Sequence, residues 1–323
     1  MKVFLTGGAG YIGSVTAGRL LDAGHEVLVF DNLGRGHREA LDRRAGFVEG
    51  DLLDADRVSG AVRDFGPDAV MHFAAFALVV ESMSDPALYF HNNVIGGMHL
   101  AAAMLKHGVG RIIFSSTCAT YGEPDRVPIT EDTPQSPTNP YGESKLVLEK
   151  ILRWYHEREG MKTVFLRYFN AAGATERLGE DHDPETHLIP IVLQAALGKR
   201  ERVHIYGDDY DTPDGTCIRD YIHIVDLAEA HALALATEHS GAFNLGNGNG
   251  YSVKEVVEAA RQVTGCPIPA ETAPRRPGDP PRLVASAEKA RNVLGWRPRF
   301  PALRDIVATA WAWHRDRPDG YGS

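Results

Sequence analysis

Short apolar runs alternate with helical periodicity through the first half of the chain. "KVFLT", "EVLVF", "GFVEG", "AVMHFAA" and "RIIFSS" have the length and side chains of strands. Between them, Gly13 to Ala23, Asp54 to Phe65 and roughly Asp85 to His107 place apolar residues at helical spacing. A further helix is predicted from about Tyr141 to Arg158, and "TVFLRYF" follows as a strand. Strands and helices alternating in this way predict an α/β fold. Its centre is a doubly wound parallel sheet with helices on both faces. Right-handed crossovers produce the winding.

The pattern loosens after Asn170. "GATERLGEDHDPETH" is polar and reads as a long loop. "LIPIVLQAAL" reads as a helix with Pro190 in its first turn. "RVHIYG" and "GAFNLG" read as strands, and "DDYDTPDGTCIRDY" as turns. "VDLAEAHALALAT" is predicted as a helix capped by Asp226, with Glu229 three residues on. "SVKEVVEAARQVTG" carries a Ser252/Glu255 capping box and Gly265 as its stop. "PAETAPRRPGDPPRL" reads as a loop rich in Pro and Arg. The expected organisation is a domain over residues 1–170 and a smaller α/β lobe over 171–323. Some lobe segments are expected to pack back on the first domain.

Composition narrows the classes. The chain has 323 residues, 43% of them hydrophobic and 24% charged, which is ordinary for a globular protein. No apolar run is long enough to span a bilayer, and the first residues lack the pattern of a signal peptide, so a cytoplasmic location is expected. A net charge of −9 argues against a nucleic-acid partner. Cys118, Cys217 and Cys266 show no paired spacing, so neither disulfides nor a cysteine metal site is predicted. His182 and His187 lie five apart in a polar stretch and read as loop residues, with no metal centre expected.

The most informative turn is "TGGAGYIG". It follows the first strand and opens the first helix, with Gly7, Gly10 and Gly13 spaced G-x-x-G-x-x-G. Residues without Cβ let a pyrophosphate approach the unpaired N–H groups at a helix start. An acid, Asp31, ends the second strand 18 residues after Gly13, where ribose hydroxyls sit in a Rossmann-type site. Its charge would repel a 2′-phosphate, so NAD is predicted over NADP, although Arg35 and Arg38 follow closely. Asp51 ends the third strand and could either accept from an adenine amine or cap the next helix. The small residues of "HFAA" permit close approach to a cofactor.

Two later stretches carry candidate chemistry. "SSTCATYG" ends a strand, and "NPYGESK" begins a helix. Tyr141 and Lys145 are four apart and share one helix face. A free phenol titrates near 10 and is a poor base at neutral pH. A nearby ammonium and the positive ring of NAD⁺ would both favour the phenolate. Tyr141 could then take a proton from a sugar hydroxyl, with Thr117 bridging base and substrate.

With these stretches, "FDNL", "HNN", "RYFN", "DGTCIRDYIHIVDLAEAH", "NLGNGNGYSV" and "RRPGD" resemble the extended short-chain dehydrogenase/reductase family. Within it they are similar to its nucleotide-sugar epimerases, over nearly the whole chain. The resemblance implies an isomerase that interconverts UDP-glucose and UDP-galactose by transient oxidation at C4 with bound NAD. Tyr11, Ile12, Asp31, Asn32, Asp51, Leu52, Phe73, Ala74, Asn92, Lys145 and Phe169 would contact NAD. Thr117 and Tyr141 would touch the sugar. Asn170, His204 to Tyr206, Arg219, Arg276 and Asp279 would hold the uridine diphosphate, and planar guanidinium forks suit a diphosphate. The same likeness implies a homodimer joined through the helices near 85–107 and 141–158.

Three positions depart from the bacterial pattern of that family. Ala77 stands where a lysine is frequent. His187-Leu188 replaces an Asn-Leu pair at the substrate helix, so contacts to the diphosphate are expected to differ there. Leu283 is intermediate in size at a position that gates N-acetylated sugars in the family. This leaves a 4-epimerase acting on another UDP-sugar as the alternative. A related 4,6-dehydratase would need an acid pair where Cys118 and Ala119 stand. A non-catalytic NAD sensor would have no use for the intact Tyr/Lys pair.

Overall fold

The strands of the first half lie side by side and parallel. In the computed structural model, which describes residues 1–276 and 278–322, the order is β1 (Lys2–Thr6), α1 (Tyr11–Asp22), β2 (Glu26–Asp31), β3 (Gly46–Glu49), α2 (Ala55–Phe65), β4 (Ala69–His72), α3 (Val79–Ser84) and α4 (Pro86–Tyr89). A π-helical turn, Phe90–Ile95, leads into α5 (Gly96–Lys106), then β5 (Arg111–Thr117), α6 (Pro140–Glu159) and β6 (Lys162–Tyr168). Pro277, within "RRPGD", and Ser323 lie outside the described residues.

The second half continues with β7 (Asn170–Ala172), α7 (Leu188–Ala196), β8 (Val203–Tyr206), β9 (Ile218–Arg219), β10 (Tyr221–His223) and α8 (Ile224–Ala236). It ends with β11 (Gly241–Leu245), β12 (Tyr251–Ser252), α9 (Val253–Thr264), β13 (Ala270–Ala273), β14 (Arg282–Leu283) and α10 (Leu303–Asp316). The main sheet has seven parallel strands in the order β3-β2-β1-β4-β5-β6-β11. The chain runs outward from β1 to β3, then returns to β4 on the other side of β1. That reversal opens a crevice at the carboxyl ends of β1 and β4, where doubly wound folds bind ligands.

Each face of the sheet has its own apolar layer. Leu20 of α1 joins Leu227 and Leu235 of α8 beside Val3, Leu5 and Val29. Val58 and Val62 of α2 join Leu100 and Met104 of α5 and Leu148 and Leu152 of α6 beside Phe4 and Phe114. Complete burial of side chains of this size contributes roughly 1.5–3 kcal/mol each. Ile224–Leu245 lies beyond residue 170, yet it returns to this body: β11 forms the sheet edge and α8 packs on α1. A second core, with Val192, Leu193, Val256 and Ile306, belongs to α7, α9 and α10.

Some local expectations need correction. The cap of α8 is His223, whose Nδ1 accepts from Val225 N at 3.1 Å, so the helix starts before Asp226. Asp226 instead accepts from the Arg299 and Phe300 N–H groups at 2.8 Å each, and Glu229 pairs with Arg19 at 2.6 Å. The stretches read as plain turns and loop contain β9, β13 and β14. Strands this short carry no periodicity, and distant partners define them: β13 pairs with β8, and β14 with β9. The Ser252/Glu255 capping box and the left-handed Gly265 stop are present as expected. No described helix is long and apolar enough to cross a membrane.

Candidate active site

The glycine turn forms a cradle that side chains could not share. A Cβ on Gly7, at φ +72°, would lie 2.4 Å from Ala74 N, and one on Gly13 would lie 2.2 Å from Gly7 O. Gly10 caps α1 without a side-chain bond, so the helix start faces the crevice with backbone donors. Tyr11 and Ile12 open this helix, and the Tyr11 hydroxyl donates to Gly173 O at 2.6 Å. Phe73 and Ala74 complete the opposite wall, both donating N–H to Thr6 O. A dinucleotide pyrophosphate fits this cradle on steric and electrostatic grounds.

Asp31 is 8% exposed and accepts from Ala9 N and Leu33 N at 2.9 Å each. Burial pushes its carboxyl up, and the two backbone donors oppose that shift. Asp51 accepts from Leu53 N and from the Asn32 amide at 2.8 Å each. The α2 cap is Asp54, which accepts from Arg57 N, so capping is not the task of Asp51. Leu52 underlies Gly96, where an added Cβ would approach it to 3.0 Å. Arg35 lies over the Phe76 ring at 4.8 Å and pairs with Glu81 at 2.6 Å, which brings a cation beside the Ala77 segment.

The Tyr/Lys pair belongs to the start of α6, which packs against β5. Asn139 caps α6 by accepting from Gly142 N at 2.8 Å, which fixes the turn holding Tyr141. Lys145 is 3% exposed; its Nζ donates to Ser115 O at 2.9 Å and lies 4.9 Å from the Phe114 ring centre. Burial pushes this ammonium down to about 7, while Glu149 pulls the other way. Burial raises Tyr141 strongly, and a hydrogen bond from Thr117 favours its phenolate. Thr117 ends β5 and accepts from Ala119 N at 3.1 Å. Burial pushes the neighbouring Cys118 thiol up to about 12, so it packs here as a neutral thiol.

Beside Asn92, its neighbour Asn93 has the more extensive contacts. Asn93 is 2% exposed, bonds the Phe76 backbone in both directions and donates to Ser144 Oγ at 2.9 Å. It ties the segment after β4 to α6, whereas the Asn92 amide donates to Asn93 Oδ1. Both lie in the π-helical turn, whose rotation the "HNN" doublet does not disclose. A buried network behind Lys145 also escapes motif reading. Arg167 donates to Glu149 at 2.9 and 2.6 Å, and Ser116 Oγ donates to Glu149 at 2.6 Å.

The second lobe brings cations to the crevice. Arg219 on β9 pairs with Asp279, and Arg276 stacks on Tyr206 with its guanidinium carbon 3.9 Å from the ring centre. Asn170 is held at the lobe junction by donating to Asp220 O at 2.9 Å. Phe169 and Leu283 share a small apolar cluster with Tyr121, next to Cys118. Leu283 pairs in register with Arg219, so it lines the same strand pair. His204 is exposed and faces Glu271 at 3.2 Å, with its ring 6.3 Å from that of Tyr206.

His187 does not stand free at the substrate helix. Its Nδ1 lies 2.9 Å from Glu180 and 3.2 Å from Glu185, while Leu188 begins α7 and packs on the lobe core. His182 joins the same group. Burial works against charged imidazoles here, yet the carboxylates hold His182 up to about 9 and His187 to about 10. Both histidines, expected as plain loop residues, instead meet the two buried carboxylates. The signal available in the sequence is the spacing E-x-H-x-x-E-x-H, which includes both acids.

Comparison with known proteins agrees with this geometry. The model of the NAD dependent epimerase/dehydratase family matches residues 3–246. A UDP-glucose 4-epimerase of Halalkalibacterium halodurans is 56% identical, with 100% of this chain and 98% of the relative covered. One from Lacticaseibacillus casei is 54% identical over 100% of this chain and 99% of the relative. The crystal structure of UDP-glucose 4-epimerase from Bifidobacterium longum, in complex with NAD⁺ and UDP, superposes with a TM-score of 0.95. It is 41% identical, with 99% of this chain and 100% of that chain covered. By its crevice, its Tyr/Lys helix and this match, the chain belongs to the NAD dependent epimerase/dehydratase family.

Proposed function

We propose that the protein interconverts UDP-glucose and UDP-galactose by reversible oxidation at C4 of the sugar. The observation that supports this reading is the gathering of Tyr141, Lys145 and Thr117 around the carboxyl end of β5. Full-length similarity to UDP-glucose 4-epimerases supports it. Bound NAD supplies the hydride acceptor and donor, and in its oxidised form a positively charged ring. Tyr141 removes the proton from O4 and later returns it. Thr117 orients that proton path, and Lys145 holds its place through Ser115 O. Arg219 and Arg276 grip the diphosphate, so the oxidised sugar can turn about a fixed uridine anchor. Binding energy then resides in the nucleotide, leaving sugar contacts loose enough for both configurations. Purified protein given UDP-galactose should form UDP-glucose by chromatography. Absence of conversion would overturn the reading.

NAD rather than NADP is the cofactor of this proposal. Asp31 is confined by two backbone donors and cannot swing away from a 2′-phosphate. Like-charge contacts of this kind cost several kcal/mol. The expected result is a preference for NAD of about 100-fold or more, by the same conversion of energy into affinity. Equal affinity in a cofactor titration would refute it.

We also propose a homodimer, with α5 and α6 at its interface. Ile95, Met98 and Leu105 are 37%, 39% and 36% exposed, and with Ala102 they form one apolar stripe at helical spacing. On α6, Trp154 is 59% exposed and lies one or two turns beyond the half-buried Ile151 and Val147. Two such stripes per chain suit a four-helix contact. Light scattering should give twice the chain mass, and a Met98→Asp/Trp154→Asp double variant should give the monomer. A monomeric wild type would exclude this interface.

A further inference from the structure

The loop between β7 and α7 gathers Glu180, His182, Glu185 and His187 into an arrangement that the epimerase chemistry does not explain. One ligand atom from each lies within 4.8 Å of all the others. His187 Nδ1 is 2.9 Å from Glu180 and 3.2 Å from Glu185; His182 Nδ1 is 3.3 Å from Glu180 and 3.8 Å from Glu185. Four donors bound tetrahedrally at about 2.0–2.1 Å from one ion stand roughly 3.3 Å apart, so these separations bracket that spacing. The Glu180 and Glu185 side chains are only 5% and 4% exposed. Two carboxylates facing each other at that depth require a counter-charge.

A second observation points into the same space. His182 Nδ1 is sealed from solvent and has no hydrogen-bond partner, despite its distance from Glu180. Protonated, this ring nitrogen faces both carboxylates as their counter-charge; deprotonated, it points a lone pair into the space between them. A cleft of about 190 Å³, lined by Glu180, His182, Glu185 and His314, provides an entry route.

We propose that Glu180, His182, Glu185 and His187 bind one divalent transition-metal ion, and that the ion is zinc. Two imidazoles disfavour magnesium and calcium, which take oxygen ligands. Four protein donors leave no position for substrate, which makes the site structural rather than catalytic. The ion cross-links the long polar loop to the start of α7. The His182 ring lies edge-on to Tyr11, with ring centres 6.4 Å apart, so the anchored loop also borders the glycine turn. Without metal, protons on the imidazoles must supply the counter-charge, and metal binding would release them.

The test uses the full-length protein. Chain prepared metal-free and then given limiting zinc should retain about one zinc per chain against a fluorescent chelator of nanomolar affinity. Cobalt in its place should show visible absorption of four-coordinate intensity. Zinc should raise the thermal midpoint by at least about 4 °C. His182→Ala and Glu185→Gln should each reduce retained zinc below a tenth of an ion per chain. Glu185→Gln keeps the side-chain shape, and a midpoint for that variant near the metal-free wild type would separate lost ligation from misfolding. Wild-type protein that yields all its zinc to the chelator, with no cobalt spectrum and no thermal shift, would overturn the site. Zinc retained equally by both variants would overturn it as well.

Discussion

Tyr141→Phe should lower the turnover of UDP-galactose by about 10²–10⁴-fold, the usual range for a lost general acid–base group. UDP affinity and NAD content should remain as in the wild type. The substitution removes one oxygen from a ring that packs edge-on to Tyr89, with centres 6.4 Å apart, so the local packing survives. The loss should fall on kcat, because the proton transfer is made in the transition state and not in nucleotide binding. Burial keeps the Tyr141 phenol protonated far above its ordinary range, so its use as a base depends on positive charge brought to the crevice. Lys145 alone cannot supply a full charge at neutral pH, since its own burial pushes it to about 7. A rate in Tyr141→Phe equal to the wild type would remove Tyr141 from the chemistry.

Glu149→Ala should destabilise the fold by about 3–5 kcal/mol, the range for leaving a buried charge without its partner. Arg167 is 1% exposed, and its Nε and terminal nitrogen both end on Glu149. Burial alone would raise the Glu149 carboxyl, but Arg167, with Ser116 and Arg153, holds it below its ordinary value. A carboxyl depressed in the folded state contributes stability that is complete above its unfolded pKa, about 4.3. That contribution is lost as pH falls through the folded value. The wild type should therefore lose stability on acidification below about pH 4.3, and the variant should lose less over that window. Urea unfolding at pH 7 and pH 3.5 measures both effects. A change under about 0.5 kcal/mol at pH 7, the size of an ordinary surface substitution, would contradict the role given to this pair. The pair also matters to the site, since Glu149 lies one helical turn beyond Lys145 and supports its protonation.

The readable part of this protein is local. The glycine turn, Asp31, the Tyr141/Lys145 spacing and the Ser252/Glu255 box each act within a few residues of chain. Their residue types are constrained by one backbone conformation or one helix face, so spacing alone exposes them. The long helices and the strands of the large sheet carry 3.6- and 2-residue periods or continuous apolar runs, which report burial directly. Even there the signal has limits. The Asp226/Glu229 spacing has the form of a capping box, but His223 supplies the cap and the two acids serve Arg299, Phe300 and Arg19.

Sequence by itself determined the α/β class, the doubly wound sheet, the dinucleotide turn and the Tyr/Lys pair. It did so because short-range geometry and burial leave periodic traces. Only the tertiary structure decided which distant groups meet. It returned β11 and α8 to the first sheet, set Asp279 against Arg219, and paired Glu149 with Arg167 across 18 residues. It also turned four residues of a polar loop into one convergent cluster. Such contacts depend on chain reversals and on desolvated charge finding its partner. Neither leaves a period in the sequence.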